Sequence, residues 1–349
     1  MTELTVVLPT FNEAENLPLV IERIERLNLD CEIIVVDDNS GDGTADAVRG
    51  MMAHYGNLRL IERPSKSGID TAVRDAALVA GGKYIAVMDS DLQHPPELLP
   101  QLLEEARSGK ELVIASRYAE NSKTDMGFVR GLVSKCATAL AHFFVPRTRN
   151  ITDPLSGYFI FEKRSVDTGT IGVNNYKVLL EILARNQVEA AEIPFDFGER
   201  HSGRSKLGFM EMLRFIALLF RYSDYRTVKF VIVGAIGIGI NESLLFLFEP
   251  HAPLLLASAV AVEASIVSNF IMNNYWTFRN KIRCGFLRGL LRYNFVTTAG
   301  ALLNIAILGM LVFVHFEYLA ANFVGTIFGF AANYIGSEGF VWRLRVPIQ

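Results

Sequence analysis

A set of acidic and amide side chains follows one short apolar run of the sequence. The run Tyr84–Met88 leads directly into Asp89-Ser90-Asp91-Leu92-Gln93-His94. Asp89, Asp91 and Gln93 offer hard oxygen ligands of the kind that Mg²⁺ and Mn²⁺ prefer. We therefore predict a Mg²⁺ or Mn²⁺ site here, with substrate phosphates completing the coordination shell. The alternative for this D-x-D pair alone is that it caps a helix beginning near Pro95-Pro96-Glu97.

Polar residues also follow two earlier apolar runs. Leu4–Leu8 is followed by Pro9-Thr10-Phe11-Asn12-Glu13, and Ile33–Val36 by Asp37-Asp38-Asn39-Ser40. No G-x-G-x-x-G follows the first run and no G-x-x-x-x-G-K-[ST] occurs anywhere in the sequence. A dinucleotide-dependent dehydrogenase and a P-loop NTPase are therefore both disfavoured. Carboxylates grouped after three such runs suit a divalent cation better than a bare phosphate cradle.

The elements that must position these residues alternate along residues 1–226. Two further apolar runs lie at Leu58–Ile61 and Leu112–Ala115, and helical patterns span Ala14–Leu27 and Thr71–Ala80. This alternation predicts an α/β domain with a mostly parallel sheet and helices on both faces. In such sheets the ligand site lies beyond the carboxyl ends of the strands, where the polar residues fall.

The remaining residues, 227–349, have a different composition. They contain 8 basic and 5 acidic residues, whereas residues 1–226 contain 26 and 32. The whole chain is 50% hydrophobic with a mean hydropathy of +0.26, which excludes a disordered chain and a single soluble domain. Four apolar stretches lie at about 230–248, 254–270, 295–314 and 318–341. Since about 20 residues cross a bilayer as a helix, they predict an all-α domain of four transmembrane helices.

The links between these stretches predict their orientation. Ten Lys and Arg residues lie before the first stretch, between the second and third, and after the fourth, but none lies in the other two links. By the positive-inside rule, residues 1–226 and the C-terminus are predicted to be cytoplasmic. Three widely spaced cysteines predict neither a disulfide framework nor a zinc site, and the N-terminus lacks a signal-peptide pattern. No nucleic-acid partner is expected.

The motifs resemble a known family. V-V-L-P-T-F-N-E, V-V-D-D-N-S, D-S-D-L-Q-H-P-P-E and A-S-R-Y occur in the order and spacing of family 2 glycosyltransferases with the GT-A fold. D-P-L-S-G-Y-F at 153–159 and F-G-E-R-H-S-G-R-S-K-L at 197–207 resemble the dolichol-phosphate mannosyltransferases and related polyprenyl-phosphate hexosyltransferases. Residues 227–349 resemble the GtrA-like membrane domain. The combination looks most like the archaeal type with four membrane helices, which implies the cell membrane of an archaeon.

The resemblance implies roles for individual residues. Those for nucleotide binding are Pro9, Phe11, Glu13, Val36, Asp38, Asp89, Ser90 and Asp91, with Asp38 facing the base. Those for catalysis are Asp89, Asp91 and Arg117, and those for the metal are Asp89, Asp91 and Gln93. Those for contacts with donor or acceptor phosphates are Arg117, Arg130, Ser134, Lys135, Lys177, Arg200 and Lys206. The segment 63–70 departs from the K-x-G-L-G pattern of the family.

The resemblance also implies a reaction: inverting transfer of mannose from GDP-mannose to dolichyl or another polyprenyl phosphate, giving dolichyl β-D-mannosyl phosphate. A phosphate monoester has a second pKa of about 6, so the acceptor is largely ionised at neutral pH and needs no strong general base. Two alternatives stay open, namely glucosyl or GlcNAc transfer from a UDP-sugar and translocation of lipid-linked sugar by the membrane helices. A processive synthase is disfavoured because Trp276 and Trp342 lie outside any Q-x-x-R-W motif.

Two amphipathic stretches near 128–146 and 207–222 mix apolar and basic residues. They predict helices in the headgroup plane, and the alternative is that they are core helices of the first domain.

The membrane half also contains a repeat. Asn269 and Asn333 are followed at equal offsets by aromatic residues and an Arg, and Gly237-x-x-x-Asn241 matches Gly300-x-x-x-Asn304. These residues indicate a duplicated helix pair, for which close helix packing is a sufficient reason. The carboxylates of Glu242, Glu263 and Glu338 are costly in a membrane, and we expect them to face the bundle interior, a pathway or the interface.

Overall fold

The computed structural model describes residues 2–120, 122, 128–171, 177–196, 209–279 and 285–342. The chain divides into two compact units, residues 1–222 and 223–349. The strands described in the first unit are β1 (Leu4–Thr10), β2 (Cys31–Asp37), β3 (Leu58–Glu62), β4 (Tyr84–Val87), β5 (Leu112–Ser116), β6 (Phe159–Glu162) and β7 (Ala190–Pro194). Its described helices are α1 (Leu17–Glu25), α2 (Thr44–Met52), α3 (Ile69–Val79), α4 (Leu99–Arg107), α5 (Phe128–Phe144), α6 (Val178–Arg185) and α7 (Phe209–Tyr222).

The sheet has the strand order β3-β2-β1-β4-β6-β5-β7. Its pairs are parallel except that β6 runs antiparallel to both β4 and β5. The predicted mostly parallel sheet is thus confirmed, whereas β6 and β7 were not predicted. The strand order changes direction between β1 and β4, and the polar segments after both strands lie at this switch point.

Helices cover both faces of the sheet. Val6 and Leu8 of β1 pack with α1 and α4 on one face, and Val7 packs with α3 and α6 on the other. Because both faces are buried, the central strands are continuous apolar runs rather than alternating ones. This property makes them visible in the sequence.

Helices α5 and α7 pack against each other. Ala141 and Val145 form a buried cluster with Leu218 and Leu219 of α7, completed by Leu155 and Leu180. Other apolar residues of the same two helices are exposed, namely Leu132, Val133, Leu140 and Met212. Each helix therefore has a face buried in the first unit and apolar side chains on its surface.

The helices described in the second unit are α8 (Arg226–Phe248), α9 (Leu254–Met272), α10 (Phe286–Phe313) and α11 (Tyr318–Gly336). α9 and α11 continue as π-helical turns over Asn273–Thr277 and Ser337–Val341. All four are long and apolar enough to cross a membrane. α10 begins at Phe286, well before the apolar stretch that starts near residue 295. Arg288 and Arg292 in its first turns interrupt the apolar pattern, so the sequence did not indicate this part of the helix. α8 packs on α9 and α10 on α11.

The helix pairs α8–α9 and α10–α11 are packed through the same kind of contact between a glycine and an asparagine. A Cβ atom at Gly237 would overlap the amide of Asn269, and one at Gly300 would overlap the amide of Asn333. These are the positions of the sequence repeat, and the π-helical turns also begin at equivalent places. The duplicated pattern therefore corresponds to close helix crossings in which glycine admits an Asn side chain.

Glu242, Glu263 and Glu338, the three carboxylates expected near or in the membrane, each have a polar partner. Both oxygens of Glu263 accept from Asn294 Nδ2, at 2.9 and 3.1 Å, and Glu242 accepts from Asn241 at 3.2 Å. Glu338 lies 3.3 Å from Arg226 in an ion pair in which both side chains are mostly buried.

Candidate active site

The D-S-D segment forms a tight loop after β4. Leu92 adopts a φ of +64°, a left-handed conformation that is rare for a branched side chain and costs energy. Next to it, the N–H of Gln93 donates to Asp91 Oδ1 at 3.2 Å. Asp91 and Gln93 are buried, whereas 44% of the Asp89 side chain is exposed. The strained turn thus holds one carboxylate inward and leaves the other accessible.

His94 secures the first residue of this loop. Its Nδ1 accepts the backbone N–H of Asp89 at 3.0 Å. Its ring stacks on Tyr158 with centroids 5.2 Å apart and meets the edge of Phe195 at 5.9 Å. Burial lowers the pKa of His94, although Asp89 and Asp91 act in the opposite direction. The ring is therefore neutral when it accepts this hydrogen bond.

The D-P-L-S-G-Y segment, residues 153–158, packs beneath the loop. A Cβ at Gly157 would lie 3.1 Å from Asp89 Oδ2 and 3.2 Å from His94 Cε1, so only glycine fits there without displacing a neighbour. The hydroxyl of Tyr158 donates to the carbonyl of Pro95 at 3.1 Å. One segment therefore supports the acidic loop from below.

The same segment fixes the cation that follows β5. Arg117 donates from Nε and Nη2 to the two oxygens of Asp153, at 2.7 and 2.9 Å. Asp153 is fully buried and Arg117 mostly so. Burial acts to lower the pKa of Arg117, but its hydrogen bonds with Asp153 and the charge of that carboxylate raise it overall. The guanidinium is therefore charged and held in one orientation.

The predicted phosphate-binding residues have different surroundings. The Tyr118 hydroxyl donates to Ser134 Oγ at 2.7 Å, which connects the end of β5 to α5. Lys135 is exposed on α5, and Lys177 precedes the first residue of α6. Arg130 lies on α5, but its side chain is not described, and Arg200 and Lys206 lie outside the described residues. The structure thus brings Ser134 next to the residue that follows Arg117.

The predicted nucleotide-binding residues lie at or just after the ends of β1, β2 and β4. The Asp38 carboxylate accepts from Arg63 at 3.0 Å and from the backbone N–H groups of Ser67 and Gly68 at 2.8 and 3.0 Å. It therefore orders the loop of residues 63–68, the segment that departs from the family pattern. The Nζ atom of Lys66 in this loop lies 3.6 Å over the ring of Phe11.

The remaining predicted nucleotide-binding residues have different contacts. Glu13 accepts from Asn16 Nδ2 at 2.7 Å, and Ser90 is buried 3.5 Å from the Thr10 hydroxyl. Pro9 pairs with Val36 across β1 and β2, and the side chain of Val36 packs in the core. Any contact of Val36 with a nucleotide is consequently left to its main chain.

The donor set suits a hard divalent cation. Within the described ranges no three His, Cys, Asp or Glu side chains are grouped to hold a metal. The predicted set instead has two carboxylates and the amide oxygen of Gln93, an arrangement that leaves coordination positions for water and phosphate. In the described part of the chain, the Asp89 carboxylate accepts no hydrogen bond, so its oxygens are available to a ligand. The residues present therefore fit Mg²⁺ or Mn²⁺.

Sequence reasoning missed the residues that support this site. His94, Asp153 and Gly157 belong to motifs in which the sequence predicts no role for these residues, and Arg63 lies in the segment that departs from the family pattern. Their partners are distant in sequence, as Arg117 and Asp153 are 36 positions apart. Arg117 follows the apolar run 112–115 and Asp153 opens the D-P-L-S-G-Y-F motif, but their spacing in the sequence does not indicate this contact.

Two family models match the two units. Residues 5–168 match the model described as glycosyl transferase family 2, and residues 229–342 match the GtrA/DPMS transmembrane domain. The fold, the acidic loop and the four apolar helices thus define a membrane-bound family 2 glycosyltransferase of the GT-A class.

Comparison with individual proteins narrows this class. The chain is 36% identical to the dolichol-phosphate mannosyltransferase of Pyrococcus furiosus, over 97% of this chain and 99% of that protein. It is 34% identical to the Mycosarcoma maydis protein of the same name, over 66% of this chain and 82% of that protein. The chain therefore belongs to the dolichol-phosphate mannosyltransferase family.

A solved structure supports the fold of the first unit. Glucosyl-3-phosphoglycerate synthase from Mycobacterium tuberculosis, in complex with Mn²⁺, UDP and glucosyl-3-phosphoglycerate, superposes with a TM-score of 0.50. The identity is 22%, and the match covers 64% of this chain and 80% of that one. At this identity the similarity establishes the fold alone.

Proposed function

We propose that this protein transfers mannose from GDP-mannose to the phosphate of dolichyl phosphate or a related polyprenyl phosphate, with inversion at the anomeric carbon. The observation that carries the proposal is the 36% identity over nearly the full length to a dolichol-phosphate mannosyltransferase. The site supports it, because acidic side chains follow β2 and β4 and a fixed guanidinium follows β5, a strand of the same sheet. The product is dolichyl β-D-mannosyl phosphate.

The donor lies along the ends of β1, β2 and β4. Asp38 and the loop it orders lie where the base is expected, and Phe11 under Lys66 borders the same region. Asp89 and Asp91 lie at the diphosphate end. When bound there, Mg²⁺ or Mn²⁺ supplies charge neutralisation to the GDP leaving group. Asp89, Asp91 and Gln93 are the side chains that would hold it.

The acceptor phosphate approaches Arg117. This guanidinium is cationic and held by Asp153, so it offers a fixed charge to a phosphate without reorganising. The hydroxyl of Ser134, joined to Tyr118, extends the site toward α5. Because the acceptor is already ionised at neutral pH, its oxygen attacks without a general base. The buried, neutral His94 is consistent with this, since its Nδ1 is engaged by a backbone N–H.

The lipid tail of the acceptor requires that the site lie close to the bilayer. The exposed apolar residues of α5 and α7 support a membrane-facing surface, which we define as Leu132, Val133, Leu140 and Met212. Such residues gain free energy by entering the headgroup–acyl boundary. The distribution of Lys and Arg in the links supports a cytoplasmic location of the first unit and of the C-terminus.

The test is a donor screen with the full-length protein in detergent–lipid micelles. GDP-mannose, GDP-glucose, UDP-glucose and UDP-GlcNAc, each labelled in the sugar, are offered with dolichyl phosphate, and labelled lipid is extracted. We expect transfer from GDP-mannose to exceed that from every UDP-sugar. Preferred transfer from UDP-glucose or UDP-GlcNAc would show that the proposed donor is wrong. It would not affect the assignment of the fold or of the acceptor class.

A further inference from the structure

His94 lies outside the set of residues assigned to donor, metal or acceptor, yet it accepts a hydrogen bond from the first residue of the acidic loop. Its side chain is only 3% exposed, and its Nδ1 accepts the Asp89 N–H at 3.0 Å. Asp89 is the first residue of the D-S-D segment. A hydrogen bond to its main chain therefore fixes the point from which both carboxylates are presented.

The ring is itself held firmly. Tyr158 stacks on it at 5.2 Å with an interplanar angle of 29°, and Phe195 meets it edge-on at 5.9 Å. Tyr158 also donates to the carbonyl of Pro95, the residue after His94. The imidazole therefore has little freedom to move, and Nδ1 is a fixed acceptor.

His94 forms a hydrogen bond with the main chain of Asp89 but not with its carboxylate. Nδ1 lies 3.7 Å from Asp89 Oδ2, which is beyond hydrogen-bond distance. Because Nδ1 already accepts an N–H, it carries no proton to offer the carboxylate. His94 thus orients the main chain of Asp89 and leaves the carboxylate accessible to a cation.

We propose that His94 is a positioning residue for the divalent-cation site, acting through the hydrogen bond between its Nδ1 and the Asp89 N–H. The inference rests on the proposed function, because it assumes that Asp89 and Asp91 hold a cation. Groups that orient metal ligands from outside the coordination shell change metal affinity by about 10- to 100-fold when removed.

Two substitutions separate the acceptor from the ring. His94→Asn places an amide oxygen at the position of Nδ1 but removes the ring, whereas His94→Phe keeps a ring against Tyr158 but has no acceptor. Mn²⁺ binding to the full-length protein in the presence of GDP is measured by the loss of the free-Mn²⁺ electron paramagnetic resonance signal. His54→Phe, at an exposed histidine whose Nδ1 also faces a backbone group, is the matched control.

We expect His94→Phe to weaken Mn²⁺ binding by about tenfold or more, and His94→Asn and His54→Phe to stay within about threefold of wild type. Equal Mn²⁺ affinity of wild type and His94→Phe would overturn this inference but not the proposed function. So would loss in His94→Asn but not in His94→Phe, because the ring and not the acceptor would then matter. If His94→Phe does not fold, His94→Gln, whose polar atoms lie at the Nε2 position, takes its place with the same expectation. Absence of Mn²⁺ binding by wild type would overturn the metal site of the proposed function, and this inference with it.

Discussion

Asp153 holds Arg117 through both of its carboxylate oxygens, with donor–acceptor distances of 2.7 and 2.9 Å, and also accepts the Arg117 backbone N–H at 3.1 Å. The backbone N–H of Asp153 in turn donates to Glu192 at 3.0 Å. The orientation of the guanidinium is therefore set by a residue from a different loop. This arrangement explains how a flexible side chain can present a positive charge in a fixed position.

Asp153→Asn replaces one acceptor oxygen with an amide that faces the guanidinium. We expect turnover to fall about 100-fold, because small displacements of a positioning group have effects of that size. We also expect the free energy of unfolding to fall by about 3 kcal/mol, since the buried Arg117 charge loses its partner. Initial rates and thermal melting check the two effects, with rates taken well below the melting temperature.

The matched control for this variant is Glu3→Gln. Glu3 and Arg107 form a similar two-pronged pair, with distances of 2.9 and 2.6 Å, but at the surface. Exposed pairs contribute little, so both turnover and melting should stay near the wild-type values. A full wild-type rate in Asp153→Asn would show that the orientation of Arg117 is not needed.

Gly157→Ala tests the packing beneath the acidic loop. The added methyl group would lie 3.1 Å from Asp89 Oδ2, so the carboxylate must shift by a few tenths of an ångström. We expect turnover to fall about tenfold with little change in melting temperature. The control is Gly50→Ala in α2, where nothing lies within 4 Å and alanine favours the helix. Equal rates for both variants would contradict the assigned role of Gly157.

The membrane-facing surface is tested by Leu132→Ser combined with Val133→Ser. These side chains are 54% and 51% exposed, so the change removes apolar surface without opening a core. We expect the KM for a long-chain polyprenyl phosphate to rise about tenfold, while the KM for the donor and the use of a short-chain acceptor stay unchanged. Leu78→Ser on α3 is the control, because Leu78 is 63% exposed but lies on another helix. A similar loss with both acceptors would argue against bilayer contact.

Gly300→Ala tests the repeated helix crossing in the second unit. The methyl group would overlap the amide of Asn333, so either this side chain must leave its position or α10 and α11 must separate. We expect a loss of about 1–3 kcal/mol, read as a lower melting temperature in detergent. Gly309→Ala on the same helix, where nothing lies within 4 Å, should have no such effect. Equal melting of the two variants would contradict the proposed role of the glycine.

The sequence predicted the fold where local pattern and burial coincide. Strands β1, β2, β4 and β5 are short apolar runs because helices cover both faces of the sheet, and this pattern is readable without a structure. β6, Phe159–Glu162, was missed because it inserts antiparallel between β4 and β5, an arrangement that alternation of strands and helices does not indicate. The split of α7 into a buried face with Leu219 and an exposed Met212 also depends on long-range packing.

The candidate site was predictable only where its residues lie close together in the sequence. Asp89, Asp91 and Gln93 lie close in sequence, so their shared chemistry is visible in one motif. Arg117 and Asp153, or Asp89 and Gly157, meet only after the sheet has formed. Spacing therefore indicated which groups could bind a cation and phosphate, but not what holds them.

The central claim is that the acidic loop supports sugar transfer to a polyprenyl phosphate with a divalent cation. Its most direct test measures transfer of radiolabelled mannose from GDP-mannose to dolichyl phosphate by the full-length protein, with Mn²⁺ or with excess EDTA, for wild type and Asp91→Ala. We expect labelled lipid only from wild type with the metal. Equal transfer after chelation, or a wild-type rate in Asp91→Ala, would contradict the account.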